Sequence, residues 1–267
     1  MVGLLSSAHP TVSFRLPRHK DRRKVKLQLT LVADLRDKSR MFELLLVAML
    51  SDLPNLESFP GVESVKVVVD CEEPTLTIVH IRDWHFIEYA EFKADVENAI
   101  SADQIENQYV VFASEVQEIQ DQQELFLNAM VKAGHRDVWI EGLIPEFERA
   151  FIHICHVAAR NGLYESPNPI SVGAAARLFV KQQIKVYALD TDKGLRLTRP
   201  LDAAGKLREI SEADIEKRED LMMQQLRNHK GVAIVVLGGA HDLSNNIRPE
   251  TKLITVTVKG YRKASGE

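Results

Sequence analysis

Cysteine is scarce in this chain of 267 residues: Cys71 and Cys155 are the only two. Two thiols make neither a disulfide framework nor a spaced set of zinc ligands. Both lie among apolar neighbours and read as core thiols, which fits a reducing compartment such as the cytoplasm. Long hydrophobic runs are missing as well. The longest, at 41–50, contains Glu43 and is too short to cross a bilayer. Charge of one sign is also lacking, since 34 Lys and Arg stand against 38 Asp and Glu for a formal net charge of -4. A protein that grips nucleic acid needs a basic face to neutralise phosphates, so this balance argues against nucleic acid as the main partner. There is no internal repeat and no low-complexity tract.

The N-terminal segment has an apolar start followed by Arg15, Arg18, Lys20, Arg22, Arg23, Lys24 and Lys26, with Asp21 the one acid among them. A secretory signal carries its charges ahead of the apolar part, so the order is wrong for one. Residues 1–26 read as a solvated basic tail, with an organelle transit peptide as the alternative.

What remains is ordinary globular material, 45% apolar, enough for one large domain or a domain with an appendage. Residues 27–74 form the expected N-terminal appendage, with a helix at 38–50 and a strand at 63–69. Pro54, Pro60 and Gly61 punctuate the link between them. From residue 75 strands and helices alternate. The strands are expected at 75–81, 137–140, 184–189, 232–237 and 252–258, and the helices at 102–133, 146–160, 172–182 and 212–229. Several strands are near-continuous apolar runs, the pattern of strands covered on both faces. The core at 75–260 is therefore expected to be α/β, a mainly parallel sheet with helices on both faces, followed by a short tail at 261–267.

Two helices carry polar residues where apolar ones belong. In the first, Ile105, Tyr109, Phe112, Val116, Ile119, Gln123, Phe126 and Met130 recur at steps of four and three, one stripe along a single long helix. Ser101 with Gln104 caps its start, and Gly134 ends it. Gln123 is the polar member of the stripe, and Gln120 flanks it. In the second, Ser211 with Asp214 caps a helix whose stripe is Ile215, Met222 and Leu226, with Arg218 falling on it. A guanidinium on a buried stripe must meet a carboxylate or an anion or reach the surface. Arg218 and Gln123 are therefore expected to point at the strand ends, with Glu141 the partner of Arg218.

Ligands in such sheets sit beyond the carboxyl ends of the strands. Those ends read Arg82-Asp83-Trp84-His85, Glu141-Gly142, Asp190 and Asp192, and Gly238-Gly239-Ala240-His241-Asp242. Each residue alone reads more readily as a loop or turn residue, Asp192 above all and Asp190 least, and His80, His153 and His156 read as structural. Their agreement on one edge singles out His85, Glu141, Arg218 and His241, supported by Asp83, Gln120, Gln123, Asp190, Gly238 and Gly239. Neutral imidazoles with a carboxylate can hold a divalent metal or act as general base on a water, and an arginine can hold an anion.

This arrangement resembles the superfamily of TraB and GumN proteins, Tiki metalloproteases, ChaN-like haem-binding proteins and erythromycin esterases. Gly238-Gly-Ala-His241 is similar to its second Gly-x-x-His motif, Glu141 to its strand-end glutamate, Arg218 to its late arginine, and His85 to its first histidine. The likeness spans roughly residues 75–243. The first motif departs from the pattern: it lacks the glycine and glutamate, Asp83 stands nearest as a substitute acid, and the stretch between His85 and the long helix looks inserted. The resemblance implies a hydrolase of an ester or amide bond acting on a small-molecule or peptide substrate. His85, Glu141 and His241 would bind a divalent metal or activate water directly, with Arg218 stabilising negative charge. Its alternative implication is a haem or small-ligand binder, with Trp84, Phe86 and Tyr89 lining an apolar cleft. A third reading is an interaction protein with a decayed site.

Overall fold

The computed structural model describes residues 53–96, 101–161, 173–199 and 208–266, all within one compact unit, Leu50–Glu267. The basic tail at 1–26 and the helix at 38–50 lie outside the described residues.

Six strands form one sheet in the order β1-β6-β2-β5-β3-β4: β1 (Val62–Val69), β2 (Leu76–Asp83), β3 (Asp137–Ile140), β4 (Lys185–Ala188), β5 (Gly231–Gly238) and β6 (Thr251–Val258). All pairings are parallel except that of β1 with β6. β2 and β5 are buried almost end to end, as continuous apolar runs must be when helices cover both faces. The helices are α1 (Tyr89–Val96), α2 (Ala102–Lys132), α3 (Glu148–Arg160), α4 (Gly173–Val180), α5 (Asp192–Leu197), α6 (Glu212–Gln225) and α7 (Tyr261–Ser265). One core lies between the sheet and α2 and α4, through Ile119, Phe126, Leu127, Met130 and Leu178. A second lies on the other face under α6, through Met222 and Leu226 against Trp139, Ala233 and Val235. The α/β class holds. Among the described residues no helix is long and apolar enough to cross a membrane.

Local signals explain the element ends. Ser101 N–H donates to Gln104 Oε1 at 3.1 Å, Asp214 N–H donates to Ser211 Oγ at 3.1 Å, and Gly134 leaves α2 with φ +97°. The stripe of α2 is buried or half-buried along its length, Gln123 included. Four expectations differ. The strand at 63–69, placed in an appendage, is the antiparallel edge of the core sheet. Residue 261, placed in a tail, begins α7, and its tyrosine is buried. Ile215 is exposed, because α6 packs on the sheet only from its second turn. Cys155 is buried, but Cys71 is only half-buried, beyond the end of β1.

Register brings the strand ends level. Asp83 pairs with Gly238 across β2 and β5, and Ile140 pairs with Val236 across β3 and β5. The residues that follow these strands therefore share one edge.

Candidate active site

His85, Glu141, Arg218 and His241 converge at that edge. Glu141 is the hub. Its Oε2 lies 3.0 Å from His85 Nε2 and accepts the Gly238 N–H at 2.8 Å. Its Oε1 accepts from Arg218 Nη2 at 2.8 Å and lies 3.3 Å from His241 Nε2. Each imidazole meets a second carboxylate at its other nitrogen: His85 Nδ1 lies 3.3 Å from Asp83 Oδ2, and His241 Nδ1 lies 2.7 Å from Glu219 Oε1. Arg218 is held from behind by Asp190, with Nε to Oδ1 and Nη2 to Oδ2 both at 2.8 Å. Asp190 is fully buried and also accepts the Gly142 N–H at 2.7 Å. Gly142 supplies the φ of +78° that turns the chain behind Glu141.

The supporting residues divide. Gln123 reaches the strand end, donating to Asp83 Oδ1 at 2.8 Å and to the Arg82 carbonyl at 3.2 Å. Gln120 is buried on α2 one turn before Gln123, and like Gln123 it is not among the residues lining the cavity beside the cluster. Gly238 and Gly239 are required sterically. A Cβ on Gly238 would stand 2.8 Å from His85 Nε2 and 3.3 Å from Glu141 Oε2, and one on Gly239 would overlap the Tyr261 hydroxyl. Asp192 opens α5 behind its cap, Thr191, and pairs on the surface with Arg196. His80 is structural, buried with Nε2 on the Leu237 carbonyl at 3.1 Å. Burial pushes its pKa down to about 4. His153 and His156 are exposed on α3.

Three residues at the site were missed in the sequence: Glu219, Arg82 and Tyr261. Glu219 was legible, since it falls four residues after Ile215 and three before Met222, the reverse of the three and four that singled out its neighbour Arg218. Arg82 donates to the Gly239 carbonyl at 3.2 Å and lies 4.3 Å over the Tyr261 ring. Tyr261 had no motif to mark it.

Beside the cluster opens a cavity of about 600 Å³, within the range of small-ligand sites. Trp84, Ile87, Phe112 and Tyr261 line it together with the His, Glu and Arg groups. Of the aromatics expected along a haem cleft, Trp84 lines this cavity. Phe86 and Tyr89 pack instead into a ring cluster with Tyr109, and Phe86 also stacks on Phe112.

Hydrogen bonds to Asp83 and Glu141 raise the His85 pKa to about 10 against the cost of burial. Burial opposes charge on His241, but bonds to Glu141 and Glu219 outweigh it and raise its pKa to about 9. Burial also opposes charge on Glu141, and His241, His85 and Arg218 together override it, holding the carboxyl well below the usual carboxylate range. At neutral pH both rings are therefore imidazolium. With them protonated, four carboxylates (Asp83, Glu141, Asp190, Glu219) face three cations, leaving the cluster close to neutral.

The donor set suits a divalent cation chemically. Two imidazoles and a carboxylate are common ligands, and a ligating histidine usually has its other ring N–H on a carboxylate. A divalent cation would also carry the same charge as the two Nε2 protons. Among the described residues, however, no three His, Cys, Asp or Glu side chains stand around one point as metal ligands do, and Glu141 lies against both rings instead. Cation binding would thus have to displace those protons. No family model, no curated protein and no solved structure matches the chain.

Proposed function

We propose that this cluster is the centre of a hydrolase that cleaves an ester or amide bond in a small-molecule or peptide substrate, with a divalent cation held by His85, His241 and Glu141. One observation carries the reading: Glu141 stands between two histidines, each braced at Nδ1 by its own carboxylate. Packing alone does not call for two braced imidazoles aimed at one carboxylate beside a cavity.

When bound, the cation supplies Lewis acidity for the scissile carbonyl and the attacking water. The chain's own residues do the rest. Asp83 and Glu219 fix the Nδ1–H tautomer of His85 and His241, so that the Nε2 lone pairs face inward once deprotonated. Gly238 N–H and Arg218 fix both oxygens of Glu141. Arg218 is engaged by two carboxylates through Nε and Nη2, which positions Glu141; the two N–H of Nη1 take part in none of these bonds and are the donors that would meet negative charge on a substrate in the cavity that Arg218 lines. Trp84, Phe112 and Tyr261 offer an apolar wall for the body of the substrate and keep water from it. The resemblance to the TraB, Tiki and erythromycin esterase superfamily rests on these same residues, with Asp83 proposed as the substitute for its first-motif acid.

The test is metal analysis and divalent-cation titration of the purified protein, with an ester and peptide panel run on wild type and His241→Ala. Cation binding and turnover that both vanish in His241→Ala are expected. Turnover unaffected by that substitution would end the reading.

A further inference from the structure

Among the described residues, helix α3 has more apolar surface than its neighbours cover. Phe151 and Cys155 face the core, yet Phe147 is 61%, Ile154 63% and Val157 40% exposed. Ala150 is exposed too. Phe147 belongs to a 3-10 turn, Pro145–Phe147, that runs directly into α3. The four residues recur at steps of three, four and three, so they form one straight seam at the spacing that pairs helices. Scattered apolar residues on a surface need no explanation, but a contiguous seam marks an interaction site.

We infer that this seam is the contact by which two copies of this chain associate, through α3 packed antiparallel on α3 of the partner subunit. The seam is palindromic about position 152. In an antiparallel pair centred there, Phe147 meets Val157 of the partner subunit, and Ala150 meets Ile154 of the partner subunit, large against small each time. A two-fold interface requires this self-complementarity. The charges agree with it. Glu146, His153 and Arg160 recur every seven residues along one flank of the seam, all exposed. The antiparallel pairing sets Glu146 of one copy beside Arg160 of the partner subunit, at both ends, while a parallel pairing would set like charges together. Helix dipoles also oppose each other favourably in this orientation. One pair of 13-residue helices is a small contact beside the roughly 1,200 Å² of stable complexes, so a weak, concentration-dependent association is expected.

The experiment is sedimentation velocity of the full chain up to several hundred micromolar. A monomer–dimer equilibrium is expected. Ile154→Glu, an exposed position where folding is not at stake, should weaken it at least tenfold. Glu146→Lys or Arg160→Glu alone should weaken it severalfold, and the double variant should restore it, which no loss of folding could mimic. A monomer throughout overturns the inference, as does a dimer that Ile154→Glu leaves unchanged or a charge swap that fails to restore association. Binding of the monomer to phosphatidylglycerol vesicles, lost in Ile154→Glu, would likewise overturn it and give the seam to a membrane surface.

Discussion

Arg218 and Asp190 form a bidentate pair, two parallel bonds of 2.8 Å, with Asp190 fully buried. The same guanidinium also serves Glu141. Charge-assisted fork contacts of this kind are among the stronger hydrogen bonds in proteins. Glu141 is the partner expected from the sequence, and Asp190 is a second one beside it. Arg218→Leu leaves the fully buried Asp190 with the Gly142 N–H but no guanidinium and takes one of several partners from Glu141, and breaking a buried ion pair on one side costs about 3–5 kcal/mol. Glu141→Gln leaves the Arg218–Asp190 pair in place and should cost less. Urea denaturation of the two variants decides it: Arg218→Leu the more stable of the two would refute this account.

The charge state of the histidines makes a pH prediction. Their pKa values, about 10 for His85 and about 9 for His241, lie above the unfolded value near 6.5. A group that binds its proton more tightly when folded contributes its full stability below the unfolded pKa. That contribution is lost as pH rises through the folded one. In chelator-treated protein the melting temperature should fall steadily from about pH 6.5 to about pH 10. His241, 13% exposed, should carry more of the fall than His85, 53% exposed and better screened. Glu141 acts at the other end: its pKa is depressed, so its contribution is present above its ordinary 4.5 and fades as pH drops below. His241→Asn should flatten the alkaline limb. A melting temperature that stays level or rises between pH 7 and pH 9 in the wild type would contradict the protonated cluster.

Much of this was legible because two separate patterns marked it. Period and run length set the strands, and the residues after each strand then had to lie on one edge. Arg218 and Gln123 stood out as polar positions on apolar stripes, and both do reach the strand-end acids. Arg82 stood in a strand-end run, but its pairing with Tyr261 was not legible, since a stacked cation and ring brought together by a C-terminal helix leave no local period. β1 was misassigned to an appendage because antiparallel pairing with β6, nearly two hundred residues away, has no local signature. Whether the rings are charged also depends on distances to carboxylates on other elements, which spacing does not record.

If a divalent cation replaces the Nε2 protons, the carboxylates at Nδ1 control its affinity. Glu219→Gln and Asp83→Asn should each weaken cation binding by about 10- to 100-fold, the usual effect of losing such a brace. The amides keep shape and volume, so the fold should persist. Glu219→Gln should be the more severe, because its bond to His241 is 2.7 Å against 3.3 Å for Asp83 and His85. Calorimetric titration in two buffers of different ionisation enthalpy checks the premise as well. Two protons should leave per cation at neutral pH, and fewer in each variant. Cation uptake without proton release would show that it binds elsewhere.

Gly238 tests whether the spacing of the cluster matters apart from its charges. Its φ is not in the left-handed region, so alanine strains no backbone there, and the N–H bond to Glu141 Oε2 survives the change. The added methyl is the sole perturbation, 2.8 Å from His85 Nε2, 3.3 Å from Glu141 Oε2 and 3.6 Å from His241 Cδ2. Something must move, and His85, on a half-exposed loop, gives way most readily. Gly238→Ala should therefore keep the fold, with a melting temperature within a few degrees of wild type, while pulling His85 from Glu141. The alkaline limb of the pH–stability curve should shrink. Turnover, where it is measured, should fall on the order of 100-fold, as for a misplaced catalytic group. Histidine resonances followed by NMR would show the His85 pKa dropping toward 6.5 while that of His241 moves less. Both pKa values unchanged in Gly238→Ala would mean that the rings are not held by contact with Glu141 at all.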